Sequence, residues 1–65
     1  MGVGYYQRLV EILKNNKCVF VREGKGSHEI WYSPISNKNF TVASTVESKH
    51  TANAALKQAG LKKAF

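Results

Sequence analysis

Residues 24–32 read Gly-Lys-Gly-Ser-His-Glu-Ile-Trp-Tyr, which sets one histidine directly behind a small basic loop and directly ahead of a strand-like run. An unperturbed imidazole titrates at about pH 6.5, so a histidine in such a place can take a proton from a hydroxyl at physiological pH. The loop before it can handle an anion. Lys25 can approach a phosphate as a point charge, Gly26 lets the backbone come close, and the amides of Gly26 and Ser27 can donate to a phosphoryl oxygen. These residue types together suit a phosphodiester. On RNA the base need only deprotonate the ribose 2′-hydroxyl, which then attacks the adjacent phosphorus without requiring a metal ion or a water. Nearby cations and amides would stabilise the charge developing on the phosphoryl oxygens, and DNA, lacking the hydroxyl, would be spared. From residue types alone, His28 is read equally well as a strand-end imidazole hydrogen-bonded to its neighbours.

Other chemistries fit less well. The chain has no Asp, so an Asp-supported triad is excluded, although Glu23 or Glu29 could orient a histidine. Cys18 lies among apolar neighbours, where an inert buried thiol is commoner than a nucleophile paired with His28. His28 and His50 share no ligand spacing, and neither a CxxC motif nor a Cys/His quartet is present. Neither a metal nor another cofactor is therefore expected.

The elements that must position His28 follow from periodicity. Between Tyr5 and Asn16 the apolar residues Tyr5, Tyr6, Leu9, Val10, Ile12 and Leu13 recur at three- and four-residue spacing, predicting an amphipathic helix ended by Asn15-Asn16. Cys18 to Arg22 is short, β-branched and aromatic and reads as a strand; Glu23 to Ser27 is the loop. His28 to Ser33 makes a second strand closed by Pro34, and residues 34–39 a hairpin loop in which Asn37 suits a positive φ. Asn39 to Ala43 alternates Phe40 and Val42 against Thr41 as a third strand. Ser44 to His50 is polar and unpatterned; Thr51 then offers a cap to a second helix, with Gly60 as the left-handed residue at its end and Leu61 folding back onto the last turn. The expected class is α+β, with a three-stranded antiparallel sheet in the order α-β-β-β-α. Each helix has an apolar stripe to bury, so both should lie on one face, leaving the other open for a ligand.

Alternation sends Trp31 and Tyr32 to opposite faces. If Ile30 is core, as its type suggests, Tyr32 joins it and Trp31 faces outward to stack on a base or meet a protein partner. The same alternation turns His28 inward, so its place at the first strand position, beside the loop, has to free it. Tyr5 and Tyr6 are read as helix-packing residues.

Sixty-five residues make a single domain, 1–65, with a thin core, since a chain this short buries only about 60% of the surface its unfolded form exposes. Ten Lys and Arg against four Glu give a formal charge of +6, which favours an anionic partner, nucleic acid first. A lone cysteine allows no intrachain disulfide framework and points to a reducing compartment. No apolar run approaches the roughly 20 residues needed to span a bilayer, so a soluble, cytoplasmic protein without a membrane partner is expected.

The run "VREGKGSHEIWYSP", the strand "FTVA" and the closing "TANAALKQAGL" resemble the HicA-type (YcfA-like) messenger-RNA interferases, toxins of bacterial toxin–antitoxin pairs. The likeness extends from the first helix to Leu61. It implies a fold like that of a double-stranded-RNA-binding domain and assigns catalysis to the histidine of the Gly26-Ser27-His28 triplet. Arg22 matches the arginine that commonly ends the first strand, so Arg22, Lys25, Gly26 and Ser27 are expected to hold RNA phosphate around His28. Lys14, Lys17, Lys57, Lys62 and Lys63, on or beside the helices, could grip the RNA backbone as helices do in that fold. The resemblance further implies a HicB-type antitoxin lying over the His28 face. The chain departs from the family pattern in two places: the usual proline after the third strand is missing, "ASTVESKH" standing there, and the loop "EGKGS" is one residue longer than the commonest form. No contact made after the third strand is therefore carried over to His50. Two rivals stay in view, a non-catalytic RNA-binding module of the same fold and a degenerate member kept only to bind its antitoxin.

Overall fold

The computed structural model describes residues 4–65, as five elements: α1 Tyr6–Asn15, β1 Val19–Glu23, β2 His28–Ser33, β3 Lys38–Ala43 and α2 Lys49–Gln58. The strands form an antiparallel sheet in the order β1-β2-β3, with β2 central. Leu9 and Leu13 of α1 and Ala52, Ala55 and Leu56 of α2 share one core with Trp31, Phe40 and Val42. Both helices therefore cover the sheet face that carries Trp31, and the opposite face is open. This is the α+β arrangement of a double-stranded-RNA-binding domain.

α1 ends as the Asn15-Asn16 pair predicts, through two backbone bonds: Lys17 N–H donates to the Lys14 carbonyl at 3.0 Å and Cys18 N–H to the Leu13 carbonyl at 2.9 Å. This closure needs a left-handed residue, a place taken here by Lys17 at φ +70°. The chain then enters β1 one residue later than expected, with Cys18 buried at its threshold.

The parity of β2 corrects the expectation for Trp31. Trp31 is only 2% exposed, while Ile30 and Tyr32 are partly exposed on the open face. Each alternation of "HEIWYS" carries one large aromatic residue, so β2 by itself does not choose. β3 does: Phe40 and Val42 are unambiguous, and the register sets Trp31 opposite Phe40 and Tyr32 opposite Asn39. Trp31 is thus unavailable for stacking on a base. Its inward turn also removes the difficulty with His28, which strict alternation now directs outward.

The start of α2 is a second correction. Its cap is Ser48, whose hydroxyl accepts from His50 N–H at 3.1 Å, and Thr51 lies inside the first turn. The stretch before it is anchored, because Val46 is 3% exposed and its carbonyl receives Tyr5 N–H at 3.1 Å. At the other end Gly60 N–H bonds to the Lys57 carbonyl and Leu61 N–H to the Leu56 carbonyl, with Gly60 at φ +83° as expected. Asn37 also adopts its expected positive φ, +57°.

A buried serine ties the end of β2 to the end of α2. Ser33 Oγ donates to the Ala59 carbonyl at 2.6 Å and accepts from Ile35 N–H at 3.1 Å and Ser36 N–H at 3.3 Å. That packing leaves no room beside Gly60, where a Cβ would stand 2.9 Å from Ile35 Cγ2 and 3.3 Å from Ser36 N. Gly60→Ala is therefore expected to cost about 1–2 kcal/mol, from left-handed strain and this contact together. Urea denaturation reads it as a lowered midpoint, and a midpoint equal to that of the parent would contradict the tight approach.

Candidate functional site

The β1–β2 connection is built around one tight turn. His28 N–H donates to the Lys25 carbonyl at 3.0 Å, and Gly26 carries φ +60° at the second position of that turn, where a side chain would be strained even though nothing lies within 4 Å of a Cβ there. Gly24 N–H donates to the His28 carbonyl at 2.8 Å, and the Ser27 carbonyl accepts from Ser44 N–H at 2.8 Å. The backbone of His28 is thus held on both sides, while its imidazole is exposed and makes no hydrogen bond among the described residues. The amides of Gly26 and Ser27 likewise have no partner among the described residues.

A β-bulge brings Arg22 to the same face. Phe20 pairs with Trp31, the register then slips, and Arg22 rather than Val21 pairs with Ile30. Without the extra residue Arg22 would share the covered face with Phe20; with it, Arg22 stands on the open face beside Ile30, diagonal to His28. Diagonal neighbours on one sheet face lie about 7–8 Å apart, a span that a phosphate and a guanidinium can bridge. Arg22 and Lys25 are both exposed.

β1 has a further property. All five of its residues are exposed, with Val19, Phe20 and Val21 at 53%, 49% and 45%. An apolar edge of this kind beside a charged face is typical of a surface that meets another protein.

His28 also lines a groove of about 180 Å³ that runs between the end of β3 and α2. Its β3 partner, Ala43, lines the same groove. Thr41, Thr51 and Gln58 add polar groups to the lining.

Glu29 faces away from all of this and does not orient His28. Its carboxylate accepts from Tyr6 Oη at 2.9 and 2.8 Å and from Trp31 Nε1 at 2.9 Å, tying the start of β2 to α1. Tyr6 is pushed up to about 12 from 10.0, first by desolvation and then by the hydrogen bond to Glu29 and its charge. A phenol held neutral in this way adds stability that is fully present below its unfolded value of 10.0 and is lost as the pH climbs toward about 12. Tyr6→Phe should therefore flatten the fall in stability between those two values. Denaturation curves at rising alkaline pH would test this, and an unchanged slope in the variant would contradict the assignment.

Of the residues singled out from the sequence, Arg22, Lys25, Gly26, Ser27 and His28 are brought together on and beside the open face, and Trp31 is not. The Tyr6–Glu29–Trp31 cluster was not anticipated. Its only sequence signal is the two-residue spacing of Glu29 and Trp31, which puts both on the covered face. Nor were Thr41, Thr51 and Gln58 anticipated beside His28; 13 positions separate Thr41 from the imidazole, 23 separate Thr51 and 30 separate Gln58. No helix among the described residues is long and apolar enough to cross a membrane.

Comparison with known families finds a match over residues 6–61 to the family described as the HicA toxin of bacterial toxin–antitoxin systems. No curated protein and no solved structure matches the chain.

Proposed function

Because the chain belongs to the HicA toxin family of bacterial toxin–antitoxin systems, a membership that implies an antitoxin partner, we propose that it is a toxin endoribonuclease acting on messenger RNA through His28. The single observation that carries this reading is the exposed imidazole of His28, its own backbone pinned and its side chain uncommitted, flanked on one face by Arg22 and Lys25 and by two unpartnered loop amides. His28 takes the proton of the ribose 2′-hydroxyl. The 2′-oxygen attacks phosphorus, the bond from phosphorus to the 5′-oxygen breaks, and that oxygen leaves as a hydroxyl after taking a proton from solvent. Arg22, Lys25 and the amides of Gly26 and Ser27 hold the phosphate and offset its developing charge. The products are a 2′,3′-cyclic phosphate and a 5′-hydroxyl, formed in the cytoplasm, where messenger RNA is found.

The antitoxin in this reading is of the HicB type and covers the His28 face. The formal charge of +6 favours an acidic partner surface, and the apolar residues of β1, with Ile30 and Tyr32 on the open face, supply contact area beside the site.

The test is cleavage of end-labelled RNA in EDTA with analysis of the new ends. Cyclic phosphate ends are expected, together with loss of any cut whose upstream ribose is replaced by deoxyribose. Ends of another kind, or cutting at a deoxyribose, would sink the 2′-hydroxyl mechanism; RNA binding without scission would move the chain to the non-catalytic module.

A further inference from the structure

The groove beside His28 has no role in the chemistry just described, yet His28 is one of its lining residues. α2 lines it with Thr51, Ala54, Ala55 and Gln58, at positions i, i+3, i+4 and i+7 of one helical stripe, polar at both ends and small in the middle. Thr41 of β3 also lines it, and Leu9 and Val46, both buried, contribute apolar surface. The hydroxyls of Thr41 and Thr51 and the amide of Gln58 make no hydrogen bond within the described residues, so a ligand can engage each of them without breaking an internal contact.

The dimensions narrow the ligand. A volume of about 180 Å³ is well below the roughly 300 Å³ at which pockets for drug-sized molecules begin, so the groove takes one small ring system at a time. Its lining contains no Lys, Arg, Asp or Glu, so it is not shaped for a charged side chain or a bare phosphate. Apolar surface together with two hydroxyls and one carboxamide suits a flat, neutral group whose edge carries both donors and acceptors. A nucleobase is such a group. The chain's positive charge brings a polyanion to the surface, and Arg22, Lys25 and the loop amides hold phosphate on the near side of His28. With Trp31 buried, a stacking platform is not offered at that position.

We propose that this groove is a nucleobase subsite, seating the base next to the phosphate held at His28, with Thr51 and Gln58 hydrogen-bonding its edge. The proposal rests on the reading of RNA as substrate and adds to it the place where base preference is set. Gln58 presents one donor and one acceptor side and can pair with a base edge, whereas Thr51 discriminates through a single hydroxyl.

The experiment is a titration of the ¹⁵N-labelled chain with 2′-O-methylated trinucleotides, which cannot react, in parallel with the double variant Thr51→Val, Gln58→Ala. Both substituted residues are exposed, so the fold is expected to survive, and circular dichroism on the variant is the control for that. Saturable amide shifts are expected at Ala43, Thr51, Ala54 and Gln58 along with Gly26 to His28, and the variant should bind its preferred trinucleotide roughly 3- to 10-fold more weakly and lose preference among bases. Shifts confined to the loop and surface lysines, binding unchanged in the variant, or no binding at all would overturn the subsite. Groove shifts in a chain that never cuts RNA would sink the endonuclease reading and leave the subsite standing. Scission with an unperturbed groove, or groove shifts produced only by an antitoxin, would do the reverse.

Discussion

His28→Ala is expected to abolish RNA scission, by roughly 10²- to 10⁴-fold, while leaving the fold intact. The two halves of this prediction come from one geometry. The imidazole is exposed and hydrogen-bonds to nothing among the described residues, so its loss should change stability by no more than about 0.5 kcal/mol. The contacts that shape the turn run through the backbone, from His28 N–H to Lys25 and from Gly24 N–H to the His28 carbonyl, and alanine keeps both. RNA affinity should persist as well, since Arg22, Lys25 and the loop amides are untouched. Paired assays of the parent and the variant, matched by circular dichroism and by RNA retention in a gel, separate the outcomes. Equal cutting by both would reduce His28 to a strand-end residue.

Trp31→Ala is expected to have the opposite profile, unfolding the chain without touching the reaction site. Truncating a buried tryptophan costs about 3–5 kcal/mol, and a domain of this size seldom has more than about that amount in total. Two specific losses add to the cavity. The indole N–H is one of the donors to Glu29, and the ring packs edge-on to Phe20 with centroids 6.1 Å apart. The variant should be largely unfolded at 25 °C, whereas Trp31→Phe, which keeps an aromatic ring but drops the N–H, should fold with a lowered midpoint. Trp31 is the one tryptophan in the chain, so its fluorescence reports the same point directly: emission from the native parent should resist iodide quenching and become quenchable in denaturant. A native-like midpoint for Trp31→Ala, or full quenching of the folded parent, would place the indole at the surface.

Tyr6 and Gly60 extend this contrast between the two faces. The covered side is tied together by few polar contacts: Tyr6 to Glu29 and Ser33 to Ala59 join elements distant in sequence, and Trp31 steadies the same Glu29 from within β2. On the open side, the turn that carries His28 is held through the backbone. Substitutions under the helices should therefore register in stability first, and substitutions around His28 in activity first.

What the sequence determined by itself are the features encoded within a few consecutive residues. α1 was legible from its apolar spacing, β3 from Phe40 and Val42 against Thr41, the ends of helices from Asn15-Asn16 and Gly60, and the positive φ of Asn37 from its residue type. Gly26-Ser27-His28 stood out for the same reason, because a turn and the residue that follows it are local. The start of α2 is ambiguous in sequence because Ser48 and Thr51 are both good caps, and the burial of Val46 in the core favours the earlier one.

Tertiary structure alone decided which face each strand residue occupies. The run Ile30-Trp31-Tyr32 carries a large aromatic residue in each alternation, and pairing with Phe40 across the sheet selected Trp31 for the core and His28 for the open face. Arg22 reached that face through the bulge at Val21, an extra residue whose insertion depends on how β1 meets β2. The groove assembles His28, Thr41, Thr51 and Gln58 from three elements, and no periodicity within one element can bring them together. Parity, register and packing between elements are properties of pairs of segments, so they become definite only when the segments meet.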